Sequence, residues 1–276
     1  MSEAIGLAGG CGVAVVLWLA LRATFTAPLF TRRNHRGVDV PVAAGVVLSL
    51  AVLALAAVEQ GLVGLGVDQD ELVVGGTMLV VALGFGLLGL LDDLAETGED
   101  KGFAGHLRAL RAGRLTTGGV KLLGGGALAL VVTGRLDADE PVRLVVDALL
   151  VALAANLGNL FDRAPGRTIK VGAVAGGLLL VTHLDPSPPG LAVVLGAALG
   201  LLWFDLGEQL MLGDSGANVL GAAIGVSAVV ACSPEVRVAL LVLVAALNLA
   251  SERISFSTVI DRVPPLRALD RLGRRG

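Results

Sequence analysis

The chain has 276 residues, of which 55% are hydrophobic and only 16% charged, with a mean hydropathy of +0.82 and a formal net charge of -3. A soluble domain carries roughly 25% charged residues, so this composition excludes a water-covered globule and points to a chain solvated by lipid. No basic run with interleaved aromatics suggests nucleic acid, and Cys11 and Cys232 sit in apolar segments without metal or disulfide spacing.

Apolar segments follow one another over Ile5 to Leu21, Val40 to Val58, Leu72 to Leu91, Gly118 to Gly134, Val142 to Phe161, Ile169 to Thr182, Leu191 to Phe204, Ala217 to Cys232 and Val236 to Ala250. The first has no basic residue before it and no cleavage site, so it reads as a retained membrane helix. Period-two alternation is absent, which favours helices over a closed β-barrel. The sequence therefore predicts an all-α polytopic membrane protein, a single integral domain over 1–276 with about nine to ten transmembrane helices. A basic tail follows from residue 251. Several of the segments are shorter than the ~17 to 25 residues of a full crossing. Small-residue pairs at Gly172 and Gly176, Gly196 and Gly200, and Gly221 and Gly225 allow close helix approach, read as intramolecular packing ahead of a homodimer interface.

Charge orients these segments. One set of loops holds 18 Lys and Arg, from Arg22 to the tail, and the other holds only Arg135, Arg143 and Arg237 beside acidic runs such as Asp68, Asp70 and Glu71. The positive-inside rule then places the N-terminus outside and the C-terminus in the cytoplasm. Four polar clusters fall on the cytoplasmic side: RRNHRG (Arg32 to Gly37), Asp92 with Asp93, Asn156 with Asn159 and Asp162, and Asp214 in MLGDSGAN.

Acidic residues at the ends of membrane helices are costly and are usually functional. Adjacent Asp92 and Asp93 cannot both face lipid, and Mg²⁺ is commonly held by one or two carboxylates plus substrate phosphates. Asp214, flanked by Gly213 and Gly216 at a helix start, leaves room for close approach of a pyrophosphate. Asn156, Asn159 and Asp162, at i, i+3 and i+6, form one helical stripe. Each signal also has a structural reading: a solvated cap, an ordinary turn, or interhelical hydrogen bonds. Lys121 at a span boundary either snorkels or meets a phosphate. His35 and His183 lack ligand spacing and receive no role.

In this order the clusters resemble the polyprenyl-phosphate sugar-1-phosphate transferases, glycosyltransferase family 4, which contains the phospho-muramoyl-pentapeptide translocase and the UDP-GlcNAc:polyprenyl-phosphate GlcNAc-1-phosphate transferases. The resemblance rests on DDLAE, NxxNxxD and GDxG, and runs from about Arg32 to Glu252. It implies Mg²⁺-dependent transfer of a sugar-1-phosphate, HexNAc-1-phosphate by default, from a UDP-sugar to polyprenyl phosphate, releasing UMP, in cell-envelope glycan synthesis at the inner membrane. By the same resemblance, Asp92, Asp93 and Asp162 are expected in catalysis and Asp93 and Asp214 at the metal. Asn156, Asn159, Lys121 and Arg36 are expected against substrate. The stretch SERISFSTVIDRVPPLR lacks the histidines that relatives carry in a late cytoplasmic loop. That departure motivates an alternative, a catalytically weak relative that binds polyprenyl phosphate or its conjugates as carrier, regulator or assembly partner.

Overall fold

The computed structural model describes residues 2–34, 37–67, 73–95, 113, 116–136, 140–182 and 190–274. Each predicted apolar segment is represented by a helix: α1 (Ser2–Phe25), α2 (Val46–Gly64), α3 (Gly76–Ala95), α4 (Thr117–Gly134), α5 (Pro141–Phe161), α6 (Arg167–Val181), α7 (Leu191–Leu206), α8 (Gly213–Ala231) and α9 (Pro234–Ser251). Among the described residues, six helices are long and apolar enough to cross a membrane: α1, α2, α3, α5, α8 and α9. In lipid, a helix satisfies its backbone internally, and these Ala, Leu and Val runs contain nothing that breaks it. Their starts carry the expected marks. Pro141 and Pro234 occupy the first helical positions of α5 and α9, where a missing N–H costs nothing. Thr116 caps α4 by accepting the Gly119 N–H at 3.0 Å.

α8 is the axis of the bundle, with most of its side chains buried against α2, α3, α5, α6 and α7. Its closest neighbour, α5, approaches so nearly that a Cβ on Gly221 would strike the carbonyl of Ala154. The most extensive pairing is α1 with α7, where a Cβ on Gly196 would meet the Leu7 carbonyl. Gly172 and Gly176 of α6 lie against Leu220 and Leu195, so all three predicted small-residue pairs serve packing within the chain. α9 is peripheral, with no buried residue, and packs mainly on α5. Arg237 donates to buried Asp147 at 2.9 Å near one end of this pair, and Asn156 donates to Asn248 at 2.6 Å near the other.

Three departures from the sequence reading bear on the site. The fold is not purely helical: β1 (Thr31–Arg33) and β2 (Asp39–Pro41) form an antiparallel hairpin, Arg32 opposite Val40. Its turn is held by Asn34, whose side-chain oxygen accepts the Val38 N–H at 3.0 Å. The predicted second span therefore loses Val40 and Pro41 to a strand, and the helix begins only at Val46. Finally, α3 continues to Ala95 and α8 starts at Gly213, so these helices extend past the apolar segments that ended at Leu91 and began at Ala217, and take in Asp92, Asp93 and Asp214 as the helix-end residues expected. The basic tail also folds, as α10 (Phe256–Arg262) and α11 (Pro264–Arg271).

Candidate functional site

The C-terminal end of α3, the N-terminal ends of α4 and α8, the α5–α6 loop and the hairpin meet around one pocket of about 530 Å³. At its floor lie Asp92, Asp93, Lys121, Asn159, Asp162 and Asp214, which come from four helices and one loop start. Arg32 and Arg33 of β1 and Arg163 of the loop complete a cationic rim.

Lys121 organises the floor. Its ammonium donates to Asp92 Oδ2 at 3.2 Å and pairs closely with Asp214 Oδ2, and all three side chains are about a fifth exposed, at 18%, 23% and 19% respectively. Asn159 Nδ2 donates to the same Asp214 oxygen at 3.2 Å. Two carboxylates from separate helices thus face one cation in a partly desolvated setting, where pairing matters more than at a surface.

Asp93 does something different from its neighbour. Its Oδ1 accepts the Asp214 N–H at 2.9 Å and its Oδ2 accepts the Ser215 N–H at 3.0 Å, so one carboxylate satisfies two orphan donors in the first turn of α8. Asp162, just past the end of α5, accepts the Gly213 N–H at 2.9 Å from the other side. Gly213 has φ of +67°, and a Cβ there would stand 2.8 Å from Asp93 Oδ2, so glycine lets these three segments converge. Burial first, and then the charges of Asp205 and Asp214, push the Asp162 carboxyl well above the usual carboxylate range.

The predicted residues do not all arrive here. Asn156 is turned to Asn248 of α9 and does not line the pocket. It is separated from Asn159 by about 60° of helix rotation, enough to divide the predicted stripe between α9 and α8. Arg36 lies outside the described residues, as does the stretch 96–112. Conversely, the pocket takes in Asp205 and Glu208, which the sequence reading passed over. Asp205 Oδ2 accepts the Gly166 N–H at 3.0 Å, and Glu208, at a φ of +51°, accepts from Asn34 Nδ2 at 2.6 Å. Both stand in WFDLGEQL, an acidic pair at the end of an apolar segment. That is the signal that marked Asp92 and Asp93.

A divalent metal can be tested against these donors. Among the described residues, no three His, Cys, Asp or Glu side chains form a ready ligand cluster. Asp92 and Asp214 nevertheless already flank a cation, the Lys121 ammonium. Two hard carboxylates completed by water and substrate phosphate is the manner in which Mg²⁺ is held, so the donor set fits. Asp93, with both oxygens engaged by backbone N–H groups, is less available to a metal than Asp92.

The family model described as Glycosyl transferase family 4 matches residues 76–232. That stretch runs from the start of α3 to the end of α8 and holds all the floor residues. The chain belongs to glycosyltransferase family 4, the polyprenyl-phosphate sugar-1-phosphate transferases.

Proposed function

We propose that this protein uses Mg²⁺ to transfer a sugar-1-phosphate, HexNAc-1-phosphate in the first instance, from a UDP-sugar to polyprenyl phosphate with release of UMP. Family membership supports sugar-phosphate transfer to polyprenyl phosphate in general. The observation that carries the finer reading is the pairing of Asp92 and Asp214 around one cation beneath a rim of Arg32, Arg33 and Arg163. Carboxylates in pairs suit a metal, and guanidinium groups suit phosphate oxygens. The loop charges favour a cytoplasmic pocket in the cell membrane, with the N-terminus outside, where nucleotide sugars are met.

In this reaction an oxygen of the lipid phosphate forms a bond to the sugar-proximal phosphorus of the UDP-sugar. The bond from that phosphorus to the bridging oxygen breaks, and its electron pair leaves with UMP. A phosphate monoester with a second pKa near ~6 is mostly ionised at neutral pH, so positioning and charge neutralisation dominate over general-base chemistry. Asp92 and Asp214 would hold Mg²⁺, which when bound would supply neutralisation of the diphosphate charge. Asn159 fixes the Asp214 carboxylate, and Lys121 offsets charge on the same oxygens. Asp93 and Asp162 hold the first turn of α8 in place from two sides.

The test is incubation of purified protein with polyprenyl phosphate and a panel of UDP-sugars, with and without Mg²⁺, following UMP. Mg²⁺-dependent release with at least one donor is expected. A protein that binds polyprenyl phosphate but releases no UMP from any donor belongs to the carrier or regulator class instead.

A further inference from the structure

Beyond the matched residues, the tail after α9 is tied to the pocket wall by a network of buried charge. Arg167, the first residue of α6, is 4% exposed and grips Asp270 of α11 with two bonds, from Nε at 2.8 Å and Nη2 at 3.0 Å. Its Nη1 donates to Ser257 of α10 at 2.7 Å. Lys170, one turn on, donates to the carbonyls of Leu269, Asp270 and Leu272, closing the C-terminal end of α11. Arg274 pairs with Asp270 and donates to the Pro165 carbonyl at 3.2 Å. Phe256 stacks on Phe161, ring centroids 5.1 Å apart, at the end of α5.

Of these contacts, that of Arg274 with Pro165 falls on the loop 162–166 itself, which contributes Asp162, Arg163, Ala164 and Pro165 to the pocket, and the others bracket the loop at Phe161, Arg167 and Lys170. At its α5 end the loop is fixed by Asp162 on Gly213, and near its α6 end by Gly166 on Asp205. The residue that follows, Arg167, finds its carboxylate partner in the tail. A buried guanidinium deprived of that carboxylate is strongly disfavoured and turns toward water, carrying the start of α6 with it. The bidentate geometry is what a positioning contact requires, because it fixes direction as well as distance.

We propose that the tail is a positioning element of the active site: Asp270, acting through Arg167, sets the 162–166 loop so that Arg163 and Asp162 face the donor diphosphate. The assignment of the donor to this pocket rests on the proposed transferase reading. The placement of the loop by the tail does not, and the two are separable by experiment.

The experiment is amide hydrogen exchange on full-length protein in nanodiscs, run beside steady-state kinetics with UDP-GlcNAc, for wild type, Asp270→Ala, Asp270→Glu and Arg274→Gln. In Asp270→Ala, exchange over 162–168 should rise at least about tenfold while α8 stays protected. The donor KM should rise by about the same factor with kcat within roughly twofold and the KM for polyprenyl phosphate unchanged. Asp270→Glu, which keeps the charge, should recover part of both. If Asp270→Ala does not fold, Arg274→Gln, which cuts the link to Pro165 and the pair with Asp270 but leaves Arg167 on Asp270, should still raise loop exchange about threefold. Unchanged exchange over 162–168 in a folded variant overturns the proposal. So does a loss that is equal across the whole bundle. Raised loop exchange in a protein whose wild type releases no UMP would sink the transferase reading and leave the brace standing.

Discussion

Asp93→Asn separates the two duties that neighbouring aspartates can have in this pocket. The aspartate accepts two backbone N–H bonds, from Asp214 and Ser215, at 2.9 and 3.0 Å. Bonds to a charged acceptor are worth about 1.5–3 kcal/mol each. Asparagine keeps one acceptor oxygen and presents an NH₂ group to the second N–H, so one bond is lost and one donor is left facing another. The loss is about 1.5–3 kcal/mol, which by the scaling for domains of this size lowers the melting temperature by roughly 3 to 12 °C. The assay is thermal unfolding of detergent-solubilised protein together with the Mg²⁺ concentration for half-maximal UMP release. A lower melting temperature with the Mg²⁺ requirement within about threefold of wild type is expected, since Asp92 and Asp214, the proposed metal pair, are intact. An unchanged melting temperature with a Mg²⁺ requirement raised tenfold would return Asp93 to the metal and leave the α8 cap without a role.

Lys121→Ala removes the cation between Asp92 and Asp214, so turnover should fall by a factor on the order of 10². The melting temperature should gain more from added Mg²⁺ than in wild type, and equal gains would show that Lys121 and metal do not share those oxygens. Asp162 is held above the usual carboxylate range by burial and by Asp205 and Asp214. A raised native pKa means that the neutral form favours the fold, and this contribution disappears as pH rises through that value. Asp162→Asn can still accept the Gly213 N–H, so its melting temperature should exceed wild type at neutral and higher pH, with the difference shrinking toward pH ~4. A constant difference across that range contradicts the assignment. Asn156→Ala should cost stability by about 0.5–1.5 kcal/mol through loss of the α9 contact, without changing the KM for either substrate. For orientation, Arg275→Cys should resist an impermeant thiol reagent applied to intact cells, whereas Leu65→Cys, at the far end of α2 and 84% exposed, should react. The reverse pattern would move the pocket out of reach of cytoplasmic nucleotide sugars.

What the sequence made legible was the chemistry at the helix ends. Hydropathy located α1 to α9, because in lipid a long apolar run has only one way to satisfy its backbone, but not α10 and α11 of the basic tail. Polar clusters located the pocket, because charge at a helix end is too costly to be idle. Position within a turn was less legible. Asp92 and Asp93 are chemically identical neighbours, yet successive residues of a helix point about 100° apart, so one meets Lys121 while the other caps α8. The same rotation sent Asn156 to α9 and Asn159 to Asp214. Periodicity alone cannot decide such cases without knowing which helices are neighbours. The hairpin escaped notice because strands of three residues are too short to show an alternation, and Val40 reads as part of the apolar run behind it. Asp205 and Glu208 carried the same end-of-helix signal as Asp92, but without a motif that resembles the family.

Whether Asp214 holds a metal against a nucleotide-sugar diphosphate is decided by Mg²⁺-dependent UMP release from wild type and Asp214→Asn side by side. The substitution keeps the shape and removes the charge shared with Lys121 and Asn159. We expect an active wild type, formation of the polyprenyl diphosphate sugar in step with UMP, and a variant slower by a factor on the order of 10² or more that remains folded. An active wild type beside an Asp214→Asn variant of near-normal rate and unchanged Mg²⁺ requirement would contradict that expectation.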